Sequence, residues 1–80
     1  MSLKLRLSGD ILKARKSFGW TQQKATGMVG ISLREYQNIE GGKCIPTTEV
    51  FLRLKFIYRL DIEEYSKEIG IDIPKMVGKN

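Results

Sequence analysis

Eighty residues can build one compact domain with a modest core, and leave no room for a separate catalytic domain. Hydrophobic and charged fractions of 41% and 29% suit a soluble globular chain, and no apolar run reaches the ~20 residues of a membrane span. With no histidine and a single cysteine, Cys44, the usual zinc, thiolate and imidazole chemistries lack ligands and bases, so enzymatic catalysis, a cofactor and a disulfide are not expected.

In chain order, Leu3, Leu5 and Leu7 alternate with Lys4 and Arg6, a period of two that predicts a short strand. Ser8 is a candidate cap for a first helix from Gly9 to Ser17, with Ile11, Ala14 and Phe18 on its apolar side and Gly19 at its end. Thr21 caps a second helix of barely two turns carrying Ala25, Met28 and Val29, stopped by Gly30. Ser32 opens Ser-Leu-Arg-Glu, a capping box whose Glu35 returns to Ser32. The helix it starts turns Tyr36 and Ile39 inward and ends at Gly41-Gly42.

After Pro46, Thr47 caps a fourth helix with Val50, Phe51, Leu54, Ile57 and Tyr58 inside. Asp61 and Glu64 open a fifth, burying Ile62, Tyr65 and Ile69 and closing at Gly70. Ile69, Ile71 and Ile73 repeat the alternation of the opening segment. The fold class expected is all-α: five helices in a single domain over 1–80, with a core from 8 to 70 and short strands at 1–7 and 71–80. Those two ends could form a ribbon within the chain, pair with a second copy or stay frayed. An isolated two-stranded ribbon is marginal in water, so the alternation motivates dimerisation through the ends.

Charge is unevenly spread. Residues 1–20 carry +4, residues 21–46 carry +1, and residues 47–80 hold six of each sign. A basic half beside a neutral half is the footprint of a nucleic-acid binder, although basic residues also serve simply to solvate a face. Helices two and three are separated only by Gly30, Ile31 and Ser32, and so short a turn containing glycine is the helix-turn-helix signature. With Tyr36 and Ile39 anchoring the third helix, Leu33, Arg34, Gln37 and Asn38 face outward. Arg reads guanine O6 and N7, Gln and Asn read adenine, and Leu meets a thymine methyl.

The run Gly19-Trp20-Thr21-Gln22-Gln23, then Val29-Gly30-Ile31-Ser32, then Ile39-Glu40-Gly41-Gly42-Lys43 and Pro46, resembles the phage repressor and Cro-like helix-turn-helix family over roughly residues 9 to 65. The resemblance implies a five-helix DNA-binding domain, usually a homodimer on a palindromic operator in double-stranded DNA. It also implies a phosphate contact from Gln22, base contacts from Leu33, Arg34, Gln37 and Asn38, and a phosphate contact from Lys43. The capping hydroxyls of Thr21 and Ser32 complete the candidate DNA-binding set. The N-terminus of the second helix would add its free amides to the same phosphate.

Arg15 falls on the apolar stripe of the first helix, and a buried guanidinium needs a partner. Glu40, four residues after Tyr36, supplies one, and the family resemblance pairs the same two positions. Two departures from the family stand out. Thr26 replaces a favoured alanine, with its hydroxyl expected to bond the Gln22 carbonyl, and Lys55 stands where a small buried residue is usual. Trp20, Tyr36 and Tyr58 are expected to pack, and Cys44 to be a plain loop thiol. The function expected is a transcriptional regulator acting as a repressor in a reducing cytoplasm. Rival readings are an antitoxin-like protein with a protein partner, and an interaction module that keeps the fold without binding DNA.

Overall fold

The computed structural model describes residues 2–68, in five helices: α1 (Leu3–Ser17), α2 (Gln22–Val29), α3 (Leu33–Glu40), α4 (Thr48–Tyr58) and α5 (Ile62–Glu68). Among the described residues there is no strand. The first amides of a helix have no partner within it, and a hydroxyl just ahead of the helix supplies one. Ser2, Thr21, Ser32 and Thr47 all do this. Their Oγ atoms accept from the amides of Leu5, Lys24, Glu35 and Val50 at 3.2, 3.0, 3.0 and 3.3 Å. At the head of α5, Asp61 Oδ1 accepts from the Glu63 amide at 3.0 Å. The Ser32 capping box is therefore half formed, since the Glu35 carboxylate makes no return bond among the described residues. The Asp61–Glu64 box does not form: Asp61 caps Glu63 instead, and Glu64 turns to Lys67, 3.4 Å away.

The strand expected at residues 3–7 is instead the opening of α1. Leu3 and Leu7 are four apart and Ile11 four further on, so their shared face is helical. Leu7 and Ile11 are buried and Leu3 packs against them, whereas Leu5 between them is 56% exposed. Ser2 caps this longer helix, and Ser8, expected as the cap, lies inside it. Its hydroxyl donates to the carbonyl of Glu40, tying the middle of α1 to the last residue of α3. With Leu3 and Leu7 committed to the chain's own core, they offer no strand edge to a second copy. The strand expected at 71–80, Ile69 and the side chain of Ile62 lie outside the described residues.

α1 touches α3, α4 and α5, and α2 crosses both α3 and α4. The core they enclose is built on Leu7, Ile11, Val29, Tyr36, Ile39 and Leu54, each no more than 2% exposed. Burial of each such side chain stabilises the fold by roughly 1.5–3 kcal/mol. α4 contributes Val50, Leu54 and Tyr58, with Phe51 and Ile57 half-buried beside them. Lys55 is half-buried on this register, without displacing the inward stripe.

Between α2 and α3 the chain turns at Gly30, φ 83°, whose amide bonds the Thr26 carbonyl at 2.8 Å. Arg53 on α4 closes the end of α2, donating from Nη1 to the carbonyls of Val29 and Gly30 at 3.1 and 3.4 Å. Thr26 is accommodated at the crossing, 5% exposed. Its hydroxyl bonds the carbonyl of Gln23 at 2.7 Å, one residue later than the expected Gln22. The i−3 carbonyl serves a threonine hydroxyl as readily as the i−4 one.

Candidate nucleic-acid interface

α3 has two faces with separate tasks. On the inner face Tyr36 and Ile39 are buried, and Glu40 closes the helix with its side chain 5% exposed. An isolated carboxylate there would be costly, but Glu40 is surrounded by donors. Arg15 reaches it with Nε on Oε2 at 2.8 Å and Nη2 on Oε1 at 3.2 Å, a two-pronged ion pair between α1 and α3. Gln22 Nε2 donates to Oε1 at 2.7 Å and the Tyr36 hydroxyl to Oε2 at 3.0 Å. Since the Tyr36 proton is used on Glu40, Tyr58 donates to the Tyr36 oxygen across 2.8 Å.

Burial alone would raise the Glu40 pKa, but the hydrogen bonds from Arg15, Gln22 and Tyr36, with the charge of Arg15, outweigh it and hold the carboxyl below its ordinary value. The Arg15 guanidinium is shifted further toward its charged form, chiefly by its bond to Glu40. Its remaining Nη1 donates to the carbonyl of Trp20 at 2.8 Å, fixing the segment that leads into α2.

On the outer face, Arg34 and Gln37 are exposed, Leu33 is 37% exposed and Asn38 is half-buried. The side chains of Arg34 and Asn38 make no hydrogen bond among the described residues and are free to meet a ligand. Gln37 is held: its Nε2 donates to Gln22 Oε1 at 3.2 Å. The Gln22 amide thus bridges the buried Glu40 and the exposed Gln37, and the arrangement runs from Arg15 in the interior to the surface of α3. Thr21 and Ser32 are exposed at the heads of α2 and α3, each using its hydroxyl as a cap. Lys43 is exposed just beyond α3, where Gly42 takes φ 74° and the Lys43 amide bonds the Asn38 carbonyl at 2.9 Å.

Three contacts of this framework escape a reading of the residues alone: the double use of Gln22, the Tyr36–Tyr58 hydroxyl pair, and the Ser8 bond to α3. A usable signal existed for the tyrosines. A buried phenol needs a partner, and two on facing inner stripes can serve one another. No group of three or more metal-ligating side chains occurs among the described residues, and no described helix is long and apolar enough to cross a membrane.

Two short helices joined by a three-residue turn, the second anchored inside and polar outside, make a helix-turn-helix protein. The chain belongs to the helix-turn-helix domain family, whose model it matches over residues 10–77. No curated protein and no solved structure matches it. Membership of this family supports DNA as the partner and transcription regulation as the class of activity.

Proposed function

We propose that this chain is a sequence-specific regulator of the phage repressor and Cro-like kind, a repressor that occupies a palindromic operator as a homodimer and reads the major groove with α3. The observation that carries the reading is the division of α3 into a locked inner face and an outer face whose Arg34 and Asn38 have no partner among the described residues. Arg34 suits guanine O6 and N7, Gln37 and Asn38 suit adenine, and Leu33 suits a thymine methyl. Gln22, backed by the free amides at the head of α2, suits a phosphate, with Thr21, Ser32 and Lys43 alongside. The Gln22 Nε2 spends one N–H on Glu40 and keeps a second, which is the group able to donate to a phosphate oxygen.

Selection of bound sequences from a random duplex pool at fixed salt tests the proposal. A palindromic consensus that loses a guanine preference in Arg34→Ala is the expected result. Absence of any enriched sequence at low salt contradicts it and favours an interaction module.

A further inference from the structure

An open groove of about 600 Å³ lies between the end of α1, α2 and the second half of α4. Its apolar lining is Phe18, Trp20, Met28, Phe56, Ile57 and Leu60. Three of these come from three different segments and stay largely uncovered: Phe56 is 84% exposed, Met28 47% and Phe18 45%. Phe56 points away from the Val50, Leu54, Tyr58 stripe that holds α4 to the core, so it adds nothing to that packing. Large apolar side chains gathered around a concave surface are a mark of an interaction site. Phe18 is already set edge-on to Trp20, centroids 4.8 Å apart, which gives the groove a firm aromatic wall.

The two remaining lining residues, Lys55 and Arg59, are both cationic. Neither has a carboxylate partner, and no acidic side chain lines the groove, among the described residues. A second copy of the chain seated here by a two-fold contact would set two cationic grooves against each other. Nucleic acid would meet the two charges, but would leave a mostly aliphatic and aromatic floor poorly used. An amphipathic helix with apolar anchors on one side and carboxylates beside them satisfies both features. We infer that the groove is a docking site for an acidic amphipathic helix of another protein. None of its lining residues belongs to α3, to the α2–α3 turn or to the candidate phosphate contacts, so the partner and DNA can be held together.

Trp20 is the single tryptophan of the chain, so its emission reports the groove directly. The probe is a synthetic helical peptide with leucines at i, i+4 and i+7 and glutamates elsewhere, titrated into the full chain beside a twin carrying lysines. The acidic peptide is expected to shift the Trp20 emission to the blue and the lysine twin to leave it unchanged. Phe56→Ala, at a side chain too exposed to support the fold, and Lys55→Glu should each weaken binding at least ~10-fold with circular dichroism unaltered. No emission change with the acidic peptide, equal binding of the twins, or full binding in both variants overturns the inference. So does a dimer in sedimentation that is lost in Phe56→Ala, or an oligothymidylate that displaces the peptide and binds more tightly.

Discussion

Glu40 is where stability and recognition meet, because four donor contacts from Arg15, Gln22 and Tyr36 converge on one carboxylate at the end of α3. Removing one partner of a buried pair strands the other charge, so Glu40→Ala should destabilise the fold by ~3 kcal/mol or more in denaturant unfolding. Its pH dependence has a definite sign. The folded pKa lies below the unfolded one, so the contribution is complete above the ordinary carboxylate value of about 4.3 and is lost as pH falls through the folded value. Glu40→Gln should therefore flatten the loss of stability on acidification, read as unfolding free energy against pH.

The tyrosines add a second titration. Burial is the first cause of raised pKa values at Tyr36, Tyr58 and Tyr65, the only three tyrosines of the chain, and Tyr65 also donates to Asp10 at 2.7 Å. The tyrosinate absorbance band should consequently stay small near the ordinary value of about 10 and rise together with unfolding. At this scale the sequence makes the Arg15 and Glu40 requirement legible, since each charge stands on an apolar stripe. The part played by Gln22 is not legible, because a residue at a helix start gives no sign of which buried atom its side chain reaches.

The helices follow from their caps and stripes, and four of the five capping residues are readable in the sequence. α1 is the instructive exception. An alternation of leucines contains an i, i+4 pair, so a period of two and the opening of a helix look alike over five residues; burial of Ile11 on the same face as Leu3 and Leu7 decides between them. Ser8 is a good cap by type, but Ser2 stands one turn and more ahead of it and captures the role.

Two glycines, one within α2 and one at its end, should respond oppositely to alanine. At Gly27 a Cβ meets nothing within 4 Å, so Gly27→Ala should stabilise by about 0.5–1 kcal/mol through helix propensity. Gly30 sits at φ 83°, and a methyl added there would stand 2.7 Å from Arg53 Nη1, so Gly30→Ala should destabilise by about 1–2 kcal/mol or more. Thermal unfolding of the two variants beside the parent chain checks both signs.

For the molecule as a whole, the +5 charge is carried by the first 46 residues, which include α1, α2, α3 and Lys43. Phosphate contacts from this half would give affinity a steep salt dependence while leaving discrimination to α3. That division of labour is the central claim, and it separates two variants that remove the same charge. Equilibrium binding of the parent, Arg34→Ala and Lys43→Ala to a selected duplex and to scrambled duplex, across a range of salt, tests it most directly. Lys43→Ala should weaken both duplexes alike and lower the salt slope by about 1, while Arg34→Ala should lose about 1–3 kcal/mol of preference at one base pair. If Arg34→Ala keeps the parent's preference for the selected duplex and loses only overall affinity, α3 is not the reading element.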